Sequence, residues 1–313
     1  MRRSTRGILR LVTIAVVGLA PILGAQVRPE GDEWLKQPVD DRTFATFLTF
    51  FDYDAKRPLD IRVAKVEDSE GIRSELLSYE SAAGIRVTAR LYHAPGAVPG
   101  GPGLVFLHGG TGVGKDSPGL RQLCDHLARA GFTVLAIDLQ YFGERATELL
   151  REFTEEEKHQ KLYNQPGTYL AWVTQTVKDA GRAIDVLVER GVNPGRVGLV
   201  GFSRGAQLGF IVGGAERRFA AVVAIIGGHF DFRETGHVPA ACPANYIGRI
   251  SPRPLLMVNG NADPDYIRAT AVEPLERLAR EPKQMIWLET GHLMPQGEIR
   301  TTIARWLQQR LGR

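Results

Sequence analysis

Gly201-Phe-Ser203-Arg-Gly205 sets a serine between two glycines, with an apolar run, Arg196 to Val200, before it and a helix-period segment from Ala206 after it. Strand, tight turn and helix around G-x-S-x-G form the context in which a serine hydroxyl is lifted above a sheet as a nucleophile. Such a turn crowds strand against helix, so the residues two places from the serine must be small, as Gly201 and Gly205 are. A serine hydroxyl also needs a base. Of seven histidines, His292 directly follows the last apolar run, in Thr290-Gly-His-Leu, and comes late enough for the chain order Ser, acid, His. His229, in Gly227-Gly-His-Phe, also ends a strand and is the competing candidate, whereas His126 falls inside a helix. The acid is expected between them, at another strand end, where Val258-Asn-Gly-Asn-Ala-Asp263-Pro-Asp265 offers two carboxylates. Asp265 suits the start of the next helix. Asp263 is therefore expected to accept the Nδ1 proton of His292 and leave Nε2 to deprotonate Ser203.

A second stretch, His108-Gly-Gly-Thr-Gly-Val-Gly-Lys-Asp-Ser117, reads in two ways. From Gly109 it follows the phosphate-loop pattern G-x-x-x-x-G-K, but the next residue is Asp116 where a Ser or Thr must hold Mg²⁺. From His108 it is a turn that presents backbone N–H groups to an oxyanion. The second reading fits the serine: Gly110 and Arg204 are expected to supply the two donors. Lys115 is then an ordinary loop residue near the mouth of the site. No histidine–carboxylate or cysteine cluster shows metal-ligand spacing, so neither metal nor cofactor is expected.

The elements that must position these residues follow from hydrophobic pattern. Two alternating runs, Glu75 to Ser81 and Ile85 to His93, flank a Ser-Ala-Ala-Gly turn and suit a hairpin. Six continuous apolar runs then alternate with helix-period segments, which means a mostly parallel sheet covered on both faces. With the hairpin this gives about eight strands. Loops at the carboxyl ends of such strands are where ligands bind. The long connection from 139 to 168, with its charged piece Phe153 to Gln160, is either a small cap over the site or a solvated excursion. Residues 26–71 are polar with an aromatic helix candidate, Phe44 to Phe51, and are expected to wrap the catalytic domain of 72–313 as an extension.

His108-Gly-Gly, Asp138 with Phe142-Gly-Glu-Arg145, Gly201-Phe-Ser-Arg-Gly, Gly260-Asn-Ala-Asp263 and Gly291-His292 together resemble the α/β-hydrolase superfamily. Within it, the chain from about Ser78 to Leu311 is similar to dienelactone-hydrolase-like and acetyl-xylan-esterase-like serine esterases. The resemblance implies an α/β-hydrolase fold, a Ser203–His292–Asp263 triad, an acyl-enzyme intermediate and a small-molecule ester as substrate. Dienelactone hydrolases proper use a cysteine nucleophile, so their particular substrate is not implied for Ser203. Similarity extends to prolyl-oligopeptidase-like serine peptidases, though the chain is too short for their propeller.

Arg2, Arg3, Arg6 and Arg10 flank an apolar run from Ile8 to Ala25, the pattern of a signal peptide over residues 1–25. The protein is thus expected to be exported, with no stable membrane insertion after cleavage. The whole chain carries 39 basic and 35 acidic residues, and without those four arginines the counts are equal. A neutral mature chain gives no support for nucleic-acid binding. Cys124 and Cys242 either pair or stay as buried thiols. Tyr141, Phe142 and His229 are candidates for the substrate pocket, with Phe230, Phe232 and Trp172 as further aromatics. Arg145, Arg204 and Arg233 either meet an acidic substrate or are solvated.

Overall fold

The computed structural model describes residues 33–93, 95–96, 99–230, 234 and 238–312. The expected signal segment, and Phe232 and Arg233, lie outside the described residues. Nine strands form one sheet in the order β1-β2-β3-β5-β4-β6-β7-β8-β9. The first three, β1 (Arg62–Ser69), β2 (Ile72–Ala82) and β3 (Ile85–Tyr92), form an antiparallel meander, and β3 pairs antiparallel with β5 (Thr133–Ile137). The strands β4 (Gly103–Leu107), β5, β6 (Val197–Phe202), β7 (Ala221–Ile225), β8 (Leu255–Gly260) and β9 (Lys283–Leu288) run parallel. The expectation of about eight strands is corrected to nine. The additional one, β1, lies within the residues read as an extension and is almost wholly exposed. Its sequence, RVAKVEDS, has no buried face to produce an alternating pattern, so it leaves no strand signature.

Alternate residues of the central strands feed two cores. Val105, Leu107, Leu135 and Ile137 face one way. They share a core with helices α1 (Asp41–Leu48), α4 (Pro166–Glu189), α5 (Arg204–Ala215) and α6 (Glu273–Leu278). Leu104, Phe106, Val134 and Ala136 face the other way, onto α2 (Pro118–Arg129) and α7 (Glu298–Leu311). The aromatic helix candidate forms α1 and a following 3-10 turn; Phe44, Phe47 and Phe51 are buried and the first and last pack on Tyr246. Cys124 lies in the second core and Cys242 in the first, and no disulfide joins them. No described helix is long and apolar enough to cross a membrane.

Two helical segments depart from a regular pattern. The helix-period segment Ile267 to Arg280 forms a π-turn (Arg268–Val272) and then the short α6. The charged piece after Phe153 forms α3 (Glu155–Lys158) and a π-turn (His159–Tyr163). Thr154 caps α3 by accepting the Glu157 amide at 3.1 Å, and the Glu157 carboxylate reaches back to the amides of Arg151, Glu152 and Phe153. Because β4 lies between β5 and β6, the chain reverses its direction of travel across the sheet there. A crevice opens above the carboxyl ends of strands at such a reversal.

Candidate active site

Ser203 follows β6 and precedes the first residue of α5, with φ 53° and ψ −118°. A non-glycine residue in that region is strained, and the surroundings hold it there. Its amide donates to Ile225 O at 2.9 Å, and its carbonyl accepts from Ala206 and Gln207 at 2.9 and 3.1 Å. Gly201 and Gly205 are required by close approach: a Cβ at Gly201 would stand 2.2 Å from Gly205 O, and one at Gly205 2.1 Å from Leu107 O.

The loops after β8 and β9 leave adjacent strand ends, with Gly260 opposite Leu288 in the ladder. Gly260 again permits the approach, since a Cβ there would lie 2.5 Å from Thr290 O. These loops bring Asp263 and His292 to Ser203. Ser203 Oγ is 2.7 Å from His292 Nε2, and His292 Nδ1 is 3.1 and 3.0 Å from the two oxygens of Asp263. The buried Asp263 carboxylate also accepts the amides of Asp265 at 2.8 Å and Tyr266 at 3.1 Å, which fix its orientation. Asp265 stands further from Nδ1, at 3.6 Å, and does not start a helix. With Nδ1 facing a carboxylate, the imidazole carries its proton there and offers Nε2 as a base to the hydroxyl. Asp263, Asp265 and His292 also bring ligand-type atoms within 4.8 Å of one another, a grouping that sequence spacing did not flag because His292 arrives from a different strand end.

Opposite His292, the turn after β4 covers the serine: a Cβ on Gly109 would lie 3.3 Å from Ser203 Cβ, and one on Gly110 4.0 Å from Arg204 Cβ. The Arg204 amide opens α5, where a helix provides no intrahelical acceptor and the macrodipole is positive. The Gly109 carbonyl accepts from Thr111 N at 2.8 Å and from His108 Nδ1 at 2.6 Å. His108 Nε2 accepts the Leu139 amide at 2.9 Å, so Nδ1 must carry the ring proton. Burial, partly offset by Asp138, holds the His108 pKa below the ordinary imidazole value.

The expectation for Lys115 is corrected. It is buried rather than at the mouth of the site. Its Nζ pairs with Asp138 at 2.8 Å, Glu144 at 2.5 Å and Asp116 at 3.1 Å. Burial opposes that charge, but Asp138, Glu144 and Asp116 together outweigh it and the Lys115 pKa is raised. Asp138 is fully buried and also accepts from Lys115 N at 2.9 Å, Thr88 Oγ1 at 2.8 Å and Glu144 N at 3.2 Å. Gly114 and Gly143, both at positive φ, close on the same carboxylate: a Cβ on either would stand 2.2 or 2.1 Å from Asp138 Oδ1. The phosphate-loop pattern is thus filled by an anion from within the chain. Arg145 likewise serves the interior, with Asp179 at 2.6 Å.

A cavity of about 280 Å³ opens on Ser203 and His292, lined also by Gly110, Lys158, Tyr163 and Arg204. The pocket candidates Tyr141, Phe142 and His229 do not line it, which corrects that expectation. Phe142 is packed among His108, Phe153 and Trp172, and His229 is buried against Phe230. Trp172 and Phe230 are core residues too. The 139–168 connection contributes Glu155, Lys158 and Tyr163 to the lining instead. Lys158 Nζ donates to Gly110 O at 2.7 Å and to Glu155 at 2.5 Å. The Arg204 guanidinium lies 3.8 Å over the Tyr163 ring and pairs with buried Glu234 and with Gln207. Burial disfavours its charge, yet Glu234 and the surrounding tyrosines raise its pKa above the usual value. Lys158 and Tyr163 were passed over because they sit in a segment so rich in charge that it reads as solvated.

Residues 87–285 match the dienelactone hydrolase family model, and the chain belongs to that family of α/β-hydrolases. No curated protein matches it by sequence. Among solved structures it is similar to an acetyl xylan esterase from Paenibacillus sp. R4, at 16% identity and a TM-score of 0.63, covering 89% of this chain and 99% of that one. Acetyl xylan esterase 1 from Thermoanaerobacterium sp. gives 16% identity and a TM-score of 0.63, with 88% and 97% covered. A cold-adapted esterase from an Arctic intertidal metagenomic library gives 18% and 0.60, with 79% and 98% covered. These likenesses establish the α/β-hydrolase fold.

Proposed function

We propose that the protein is a serine hydrolase of small carboxylic esters, working through Ser203, His292 and Asp263. The observation that carries this reading is the continuous hydrogen-bonded line from Ser203 Oγ through both nitrogens of His292 to Asp263. Ser203 attacks the acyl carbonyl while His292 takes its proton, and the imidazolium is steadied by Asp263. The amides of Arg204 and Gly110 receive the oxyanion, each contributing about 3 kcal/mol to the transition state. His292 then protonates the departing alcohol, and water hydrolyses the acyl-enzyme by the same steps in reverse. The stack of Arg204 on Tyr163 beside Gly110 limits the cavity, which favours short acyl groups. Acetyl esters are the natural first probes, since similar folds include acetyl xylan esterases. The arginine-flanked apolar run of residues 1–25 supports work outside the cytoplasm.

A p-nitrophenyl ester series of rising acyl length, with proline p-nitroanilides alongside, tests this on the wild type and on Ser203→Ala. Expected is hydrolysis of the acetyl and propionyl esters, a steep fall with longer chains, and loss of turnover in Ser203→Ala. Ester turnover unchanged in Ser203→Ala would sink the mechanism. Preference for the anilides would replace the esterase by a peptidase.

A further inference from the structure

The glycine pattern that imitates a phosphate loop has a use that the triad does not explain. We propose that Asp138 is the positioning residue of the oxyanion turn: its carboxylate is the resident anion around which residues 108–116 are wound, and so it sets the direction of the Gly110 amide. The proposal rests on the reading of that amide as an oxyanion donor.

The turn is tied to the segment after β5 at three places. At its start, His108 Nε2 accepts the Leu139 amide. In its middle, Gly112 O accepts the Gly143 amide at 3.1 Å. At its end, Lys115 gives Asp138 both its amide and its ammonium, at 2.9 and 2.8 Å. Asp138 and its chain neighbour thus hold both ends. Between them, the Gly109 carbonyl is pinned by His108 Nδ1 and Thr111 N. Because the peptide unit is planar and trans, fixing the Gly109 carbonyl fixes the Gly110 N–H that points away from it. Asp138 is not among the residues that line the cavity, so its carboxylate acts through this turn, including the His108 ring 3.9 Å away.

A merely stabilising role does not account for the arrangement. Burying a carboxylate and an ammonium costs desolvation that apolar residues of similar volume avoid, so a buried pair is poor evidence for stability and is better explained by geometry. Two glycines are also committed to it, since Gly114 and Gly143 both take positive φ and neither leaves room for a Cβ beside Asp138 Oδ1. An amide donor must sit within tenths of an ångström of its working position. A misplacement of about 1 Å costs on the order of a hundredfold in rate.

Asp138→Asn keeps the side chain's shape and removes its charge. On acetyl esters it is expected to lower kcat about 10- to 100-fold with KM changed less than about threefold. The rate of Ser203 labelling by a fluorophosphonate, whose phosphoryl oxygen needs the same donors, should fall in parallel. The wild type labelled at Ser203, with a cooperatively folded Asp138→Asn matching it in both kcat and labelling rate, would overturn the proposal and leave the triad intact. A wild type that is not labelled at Ser203 would instead remove the reading on which the proposal rests. Should Asp138→Asn fail to fold, Thr88→Val removes one hydrogen bond to the same carboxylate while leaving its charge. A fall in kcat of about threefold or more at constant KM supports the proposal, and unchanged kcat overturns it.

Discussion

Two glycine-bearing turns stand side by side at the carboxyl ends of β4 and β6, and they spend their glycines differently. In the turn around Ser203, Gly201 and Gly205 are needed because backbone meets backbone, from the next turn of α5 and from the end of β4. In the turn after His108, Gly114 is needed because the Asp138 side chain, just past β5, occupies the space, and Gly143 makes room for the same carboxylate oxygen. The first turn is held by backbone contacts and backbone hydrogen bonds. The second adds side chains to its backbone hydrogen bonds: an ion pair, a histidine of fixed tautomer and a lysine from the cap-like segment. In the proposed mechanism one turn carries the nucleophile and the other its electrostatic complement, so damage to either lowers turnover, but by different routes.

The largest effect is expected on the nucleophile's side. Asp263→Asn should lower kcat on the order of 10³- to 10⁴-fold, because the amide favours the wrong tautomer of His292 while the fold persists. Steady-state kinetics beside a melting curve checks it, and a small effect would shift attention to Asp265. Next come the glycines themselves. Gly201→Ala should destabilise by about 3 kcal/mol or more in any background, since it collides with backbone. Gly143→Ala should cost a similar amount in the wild type but only about 1 kcal/mol, the positive-φ penalty, once Asp138→Ala has emptied the space. A double-mutant cycle by chemical denaturation reads the difference, and equal costs in both backgrounds would erase the contrast between the turns.

Acid should distinguish them too. His108 has a folded pKa below its unfolded value of 6.5, so the unfolded chain takes up the proton first. The stability present above pH 6.5 is then lost as pH falls toward the folded pKa. The slope for this group is about 1.4 kcal/mol per pH unit in that window. Denaturation of the wild type and His108→Gln between pH 5 and pH 8 should show a shallower acid slope in the variant, in about the amount of one proton. The smallest effect is expected at Lys158. Lys158→Met removes the ammonium from the Gly110 carbonyl and should lower kcat about three- to tenfold, with little change in melting temperature. A change confined to KM would make Lys158 a substrate contact rather than a support of the turn.

The same contrast explains what could be read in advance. The serine turn is legible because Gly201 and Ser203 answer to the start of α5 within one strand–turn–helix unit whose flanks periodicity identifies, although Gly205 also answers to the end of β4. The parallel strands are legible as unbroken apolar runs, and the histidine and acid follow from strand ends and chain order. The purpose of Gly114 and Lys115 is not legible, because their partner Asp138 is 23 residues beyond the lysine and comes from a neighbouring strand. The pattern announces that an anion is held, and only the fold says whose. Strand β1 escapes for the opposite reason, having no buried face, and Tyr163 and Lys158 are hidden by the charges around them. Phe142 and Trp172 mislead because aromatic residues near a strand end serve a core as readily as a pocket.

The assignment of Cys124 and Cys242 to different cores has one more consequence. Residues 104 and 106 of β4 support one core and 105 and 107 the other, so the whole sheet stands between the two thiols. No rearrangement short of unfolding joins them. The folded molecule is therefore indifferent to the redox potential around it, and a melting curve recorded with a thiol reductant should overlay one recorded without. The two cysteines of such a chain stay thiols on either side of a cell membrane.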